Sequence, residues 1–219
     1  MIRVVVVDDE ALVRTGFQHI LNAAQGIEVV AAVPGGRAVA TVRDARPDVV
    51  LLDIRMPDVD GLTVLAGIRA LPDPPVVAML TTFDTDAHIA AALRSGASGF
   101  LLKDTDPEQL PHLLRTLAEG DAVLSPQVTR TVVAGYLGGA EDAPAARRLA
   151  RLTERERAVL VRVAEGLSNA DIGARLHLSP GTVKDHVSAI LAKLEVGTRV
   201  QAALLAERGG LLRPPGRTP

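Results

Sequence analysis

Apolar residues follow two kinds of pattern along this chain, and the change from one to the other divides it. Five short runs without polar alternation stand at Ile2–Val7, Ile27–Val33, Val49–Asp53, 76–80 and Gly99–Leu102. Runs this short, rich in Val, Leu and Ile, are expected of strands buried on both faces of a parallel sheet. Between them apolar positions recur at helical spacing: Leu12, Phe17, Ile20 and Leu21, then Leu62, Leu65 and Ile68, then Leu110, Leu113, Leu114 and Leu117. Pro107 suits the first turn of the last of these helices, with Asp106 before it as a cap. Residues 1–120 are therefore expected to form an α/β domain: a doubly wound, five-stranded parallel sheet with helices on both faces.

Residues 121–150 break the pattern. A short helical patch at 126–136 gives way to Gly138, Gly139, Ala140 and Pro144, the composition of a flexible linker. From 151 to 210 only helical periodicity remains, over 154–165, Asn169–Leu176, Pro180–Leu194 and Arg199–Arg208. Thr153, Ser168 and Ser179 stand just before the first three, where a hydroxyl caps free amides, and Thr153 with Glu156 forms a capping box. Four short helices predict a small all-α domain. Residues 211–219, rich in Pro, Gly and Arg, are expected to be a disordered tail.

Composition narrows the chemistry. The 219 residues are 47% hydrophobic and 23% charged, which argues for globular domains rather than disorder. Cysteine is absent, so disulfides, thiolate metal sites and cysteine nucleophiles are excluded together. No apolar run approaches a membrane span, and the first ten residues turn acidic too soon for a signal peptide, so a soluble, cytoplasmic protein is expected. Charge is uneven. Residues 1–120 hold 10 Lys and Arg against 16 Asp and Glu, a net of −6, whereas residues 121–219 hold 14 against 10, a net of +4. An acidic half suits a cation and a basic half suits a polyanion. Only Lys103, Lys184 and Lys193 are lysines, against 21 arginines, so each marks a place where a compact ammonium could be needed.

In a parallel α/β sheet functional groups gather at the carboxyl ends of the strands. Those ends carry Asp8, Asp9 and Glu10, then Asp53, then Thr81 and Thr82, then Lys103. Crowded carboxylates are relieved by protonation or by a hard divalent cation, and oxygen-only ligands favour Mg²⁺. With a lysine and a hydroxyl beside them they suit phosphoryl transfer: Asp53 attacks phosphorus, while Lys103 and Thr81 meet phosphoryl oxygens. Any one of these residues could simply be a polar loop residue; it is their order that points to chemistry.

The segments VVVVDDE, LLDIRMPDVDG around Asp53, MLTTFD and GASGFLLKD together resemble the receiver domain of bacterial two-component response regulators, which has a flavodoxin-like fold. That resemblance implies that Asp53 is the phosphoacceptor, supplied by a sensor histidine kinase. It implies that Asp8, Asp9, Asp53 and the backbone carbonyl of Arg55 bind Mg²⁺, and that Pro57 and Gly61 shape the loop after the acceptor. Thr81 would be the switch hydroxyl, Phe100 the rotating aromatic and Lys103 the phosphate-contacting lysine. Phe100 lacks the hydroxyl of the commoner tyrosine, and it also suits plain core packing.

The segment GLSNADIGARLHLSPGTVKDHVSAILAKL holds two helices joined by a short turn. Val183, Val187, Ile190, Leu191 and Leu194 form an apolar stripe, which leaves Thr182, Lys184, Asp185, Ser188 and Lys193 for the outer face. Such a helix can enter a DNA major groove or can be the solvated face of an interaction module. The whole stretch from LTERERAVL to QAALLA closely resembles the LuxR-type helix-turn-helix, and behind a receiver it implies the NarL/FixJ subfamily. By that resemblance Lys184, Asp185 and Ser188 read bases of double-stranded DNA, Thr182, His186 and Lys193 hold phosphates, and Arg199–Arg208 pairs two copies as a homodimer. Two other classes would carry different residues. A DNA-binding module with a dead receiver would have lost the acidic pair, the acceptor or the lysine, and none is missing. An aspartate-nucleophile phosphatase would carry D-x-D-x-T, whereas Ile54 and Arg55 follow Asp53. The expected function is a transcriptional regulator whose only catalysis is its own phosphorylation and dephosphorylation.

Overall fold

Every predicted apolar run is a strand: β1 (Ile2–Val7), β2 (Ile27–Val33), β3 (Val49–Asp53), β4 (Val76–Thr81) and β5 (Gly99–Leu102). This is a computed structural model, and it describes residues 1–81, 86–124, 128 and 143–212. The chain divides into two units, Met1–Thr131 and Val132–Pro219. In the first, all strand pairs are parallel and the order is β2-β1-β3-β4-β5. Helices α1 (Ala11–Asn22), α2 (Ala38–Ala45), α3 (Gly61–Arg69), α4 (Asp86–Arg94) and α5 (Leu110–Ala118) connect or follow them.

Strand order and crossover handedness place the layers. The chain steps from β1 to β2 in one direction, then returns past β1 to β3 and proceeds through β4 to β5. Right-handed crossovers therefore put α1 on one face and α2, α3 and α4 on the other. On the first face Val4, Val6, Leu51, Leu80 and Leu101 meet Phe17, Leu21, Leu110, Leu114 and Leu117, so α5 returns beside α1. The alternate residues Val5, Val7, Val50, Leu52 and Met79 are buried on the opposite face. The reversal of direction lies between β1 and β3, where such sheets open a crevice at their carboxyl ends.

Four local details differ from the expectation. Leu12 is 85% exposed, because five residues of α-helix place it about 140° around from Phe17, off the buried stripe. Helix α5 begins at Leu110, not at Pro107; Asp106 caps a preceding turn, accepting from the Glu108 N–H at 2.9 Å, and Pro111 occupies the first helical turn. The sheet extends past residue 120, since Val123 bridges Gly99 in parallel and accepts from the Phe100 N–H at 2.7 Å. Finally, Ala143–Leu149, expected as linker, is a helix, α6. The helix expected at 126–136 lies outside the described residues apart from Val128, as does the tail beyond Leu212.

The second unit thus has five helices among its described residues: α6, α7 (Glu154–Ala164), α8 (Asn169–Leu176), α9 (Pro180–Leu194) and α10 (Arg199–Arg208). Leu149 joins their core with Val159, Leu160, Ile172, Val183, Val187, Ile190 and Leu194. Just past α10, Gly209 packs closely on α6: a Cβ there would meet Leu149 Cδ1 and lie 3.3 Å from the backbone of Ala145 and Ala146, a tertiary contact invisible in helical periodicity. Thr153, Ser168 and Ser179 cap their helices by accepting from the Glu156, Asp171 and Thr182 N–H groups, and the Thr153–Glu156 capping box is complete. No helix among the described residues is long and apolar enough to cross a membrane.

Two stability predictions follow from this packing. A Cβ on Gly61 would lie 2.7 Å from Ile54 O and closer still to Asp53 O, both backbone atoms that cannot swing aside. Gly61→Ala is expected to destabilise the first unit by about 1–3 kcal/mol, read from its urea midpoint. In the second unit the Lys193 ammonium lies 2.7 and 2.8 Å from the two oxygens of Glu156. This hydrogen bond, together with those to Thr153, outweighs burial and holds the Glu156 carboxyl below its ordinary value of 4.5. The contribution is then fully present above pH 4.5 and is lost as pH falls through the depressed value. The stability of the second unit, read from urea unfolding on its NMR resonances, should fall between pH 6 and about pH 3.5. Part of that slope should be absent in Glu156→Gln; an identical slope in both proteins would refute the assignment.

Candidate functional site

The sheet brings the predicted acidic residues to one edge because each terminates a strand. Asp8 and Asp9 leave β1, Asp53 closes the adjacent β3, Thr81 closes β4, and Lys103 leaves β5. Carboxylate oxygens of Asp8, Asp9 and Asp53 all lie within 4.8 Å of one another. Asp8 and Asp53 are buried, and Asp9 is half-buried. Lys103 reaches across from β5 to bridge them, with its Nζ 2.8 Å from Asp8 Oδ2, 3.1 Å from Asp53 Oδ2 and 3.3 Å from Glu10 Oε1. Its backbone N–H donates to Thr81 O at 2.8 Å, which fixes the end of β5 to the end of β4.

Electrostatics follow from this crowding. Burial chiefly pushes the Asp53 carboxyl above its ordinary value; the Lys103 contact opposes the shift and the neighbouring Asp8 charge adds to it. Burial works against the Lys103 ammonium too, yet Asp8 and Asp53 together outweigh it and push its pKa up. Lys103 is therefore a fixed positive charge, and Asp53 is a comparatively basic carboxylate. Asp8 Oδ2 is buried and has no aligned hydrogen-bond donor, although the ammonium is near. A buried carboxylate oxygen whose near neighbour is a single ammonium, beside two more carboxylates, belongs to a donor set that fits a hard divalent cation. The residues present can hold one.

The surrounding loops are held by backbone contacts. The Arg55 N–H donates to Asp53 Oδ1 at 3.3 Å, which lays the Arg55 peptide beside the Asp53 carboxylate. The Gly61 N–H donates to Ile54 O at 3.0 Å, closing the loop that contains Pro57. On the other side of the crevice the Glu10 N–H donates to Asp8 Oδ1 at 2.8 Å, and Arg14 donates to Asp8 O at 2.7 Å and Asp9 O at 2.9 Å. Phe100 is 1% exposed within the sheet, its ring wholly inside the unit. Thr82 lies outside the described residues.

The polar helix face of the second unit is built from α8 and α9. Helix α8 ends at His177 in left-handed conformation (φ 54°), and the Leu178 N–H then donates back to Gly173 O at 2.9 Å. Gly173 permits this tight corner, since a Cβ would stand 2.6 Å from Leu178 O. Helix α9 buries Val183, Val187, Ile190 and Leu194, which turns Thr182, Lys184, Asp185 and Ser188 outward with His186 half-exposed. Two hydroxyls there are already engaged: Thr182 Oγ1 lies 2.8 Å from Ser179 Oγ, and Ser188 Oγ donates to Lys184 O at 3.0 Å.

Lys193 has a partner within its own unit. Both oxygens of Glu156 hold its ammonium, so it ties the carboxyl half of α9 to the start of α7. Helical periodicity could not show this, because the partner lies 37 residues away. The periodicity also missed Arg199, whose buried guanidinium donates to Asn169 Oδ1 at 2.7 Å and to Leu167 O, pinning the entry to α8. Arg14, which donates to the backbone of Asp8 and Asp9, was likewise not singled out. A cation at the fourth position of a helix, against the helix dipole, was the available signal for Arg14.

Known proteins resemble this chain over both units. Residues 4–115 match the family described as response regulator receiver domain, and residues 150–206 match bacterial regulatory proteins of the luxR family. The nitrate/nitrite response regulator protein NarP of Escherichia coli is 38% identical over 204 residues, 93% of each chain. The DNA-binding transcriptional activator DevR/DosR of Mycobacterium tuberculosis is 35% identical over 221 residues, the full length of both. A crystal structure of the response regulator ChrA, from a heme-sensing two-component system, superposes with a TM-score of 0.51 at 34% identity, covering 96% of this chain and 98% of its own. With both modules in this order and relatives matched along their whole length, the chain belongs to the NarL/FixJ subfamily of two-component response regulators, transcriptional regulators that join a receiver to a LuxR-type DNA-binding domain.

Proposed function

We propose that this regulator is switched in the cytoplasm by phosphorylation of Asp53 from a sensor histidine kinase, and that its phosphorylated form binds double-stranded DNA as a homodimer. The observation that carries this reading is the meeting of Asp8, Asp9, Asp53 and Lys103 at the β1/β3 crevice. Asp8, Asp9, Asp53 and the backbone carbonyl of Arg55 would hold Mg²⁺, which when bound neutralises charge on the transferring phosphoryl group. The chain's own residues do the rest. Asp53 presents a buried, basic carboxylate as nucleophile, and the leaving imidazole departs with the electron pair of the broken P–N bond. Lys103 stands 3.1 Å from Asp53 Oδ2, within reach of an oxygen carried by that carboxylate. Thr81, at the end of the neighbouring strand, supplies the hydroxyl. Phosphoryl charge drawing Thr81 inward, with Phe100 following, would remodel the β4–β5 side of the unit.

In the second unit α9 is the recognition helix. Lys184, Asp185 and Ser188 face the bases, and Thr182 and His186 face phosphates. Asp185 accepts from the cytosine amine and so favours C at one half-site position. Lys193 supports the helix through Glu156. Paired copies joined along α10 would meet half-sites about one DNA turn apart.

Intact mass after incubation with acetyl phosphate and Mg²⁺ tests the switch. One phosphoryl adduct is expected in the wild type, none in Asp53→Asn, and none when Mg²⁺ is chelated; a persistent adduct in the variant would move the acceptor elsewhere. For DNA, an operator selected from random duplexes should bind Lys184→Ala roughly 10–100-fold more weakly, with relaxed preference at one base pair. Lys193→Met should leave that preference intact and lower the urea midpoint of the second unit instead.

A further inference from the structure

We propose that Arg14 is a positioning residue for the metal pair: by holding the backbone carbonyls of Asp8 and Asp9 it aims the Asp8 carboxylate into the pocket. The proposal rests on the divalent-cation reading of that pocket. Helix α1 begins without a side-chain cap on Glu10 and without an acidic residue in its first turn. Its first turn carries a guanidinium instead, a charge that the helix dipole disfavours there. Side chains on a helix lean toward its N-terminus, so Arg14 lies back over residues 8–10, and one nitrogen donates to Asp8 O at 2.7 Å and Asp9 O at 2.9 Å.

These two bonds complete a chain of orientation. In a trans peptide the C=O and N–H point in opposite directions. Drawing Asp9 O toward Arg14 therefore turns the Glu10 N–H the other way, where it donates to Asp8 Oδ1 at 2.8 Å. With Oδ1 occupied, Oδ2 is the oxygen left without an aligned donor, and it lies 2.8 Å from Lys103 Nζ within the cluster of Asp8, Asp9 and Asp53. The Asp8 N–H is itself fixed by Val33 O at 3.2 Å. From β1 to α1, then, the peptide groups of this corner are held by β2, by Arg14 or by Asp8 itself.

Charge and position make opposite predictions. If Arg14 acted only through its charge, a neutral residue would tighten cation binding by removing a like charge. If it positions the loop, binding weakens despite that removal. Mg²⁺ titration calorimetry on the full chain, with Asp9→Asn as the control for the site, separates them. Arg14→Met is expected to weaken Mg²⁺ binding roughly tenfold, the scale at which partners behind a metal ligand act. The Glu10 amide should also exchange faster in the metal-free variant. Arg14→Lys, which keeps the charge, should bind Mg²⁺ less tightly than wild type, and it carries the comparison should Arg14→Met not fold. Mg²⁺ bound as tightly as wild type, or more tightly, by either folded variant overturns the positioning role and leaves the metal reading standing. No Mg²⁺ binding by the wild type would overturn both.

Discussion

One ammonium balances three carboxylates at the edge of the sheet, and the receiver's chemistry is arranged around that balance. Asp8 and Asp53 are buried side by side on adjacent strands, a placement that like charges oppose. Lys103 makes it tenable by reaching both from a strand two positions beyond β3. The rise in its pKa shows which way the compromise runs: the pair of carboxylates holds the proton on the lysine more firmly than burial removes it. A site balanced in this way responds to added charge. In the proposed switch a divalent cation would take over Asp8 and a phosphoryl group would take over the lysine, so the same four side chains serve both states.

The rest of the molecule keeps that balance in place or makes use of it. Gly61 admits the loop after Asp53 only because it has no Cβ to meet the backbone of Asp53 and Ile54. The bridge from Val123 to the β5 edge joins the first residues past α5 to the backbone of Phe100, so the exit from the receiver begins at the aromatic proposed to move. The second unit has a separate apolar core and its own fixed ion pair, Glu156–Lys193.

Much of this was legible along the chain. Strand runs, helix periods and hydroxyl caps are local signals, decided by side chains within a few residues of one another, and each strand lies within one residue of its expected bounds. The acidic site was legible for a related reason: in a parallel sheet every strand ends on the same edge, so Asp8, Asp53, Thr81 and Lys103 can be placed together without knowing a single distance. The helix at Ala143–Leu149 was not legible. It depends on which surface is available to bury Leu149, and that surface is assembled from distant parts of the second unit.

By itself, then, the sequence determined the fold class, the order of the two units and the residue types at the functional edge, because these follow from periodicity and connectivity. Only the tertiary structure decided which charges are partners. Lys103 and Lys193 look alike in sequence, two lysines at places where phosphate was expected. One stands among the carboxylates of the site, and the other is held by Glu156 to brace a helix. Ionic pairing depends on distance and burial in three dimensions, and neither is written in the spacing of residues along the chain.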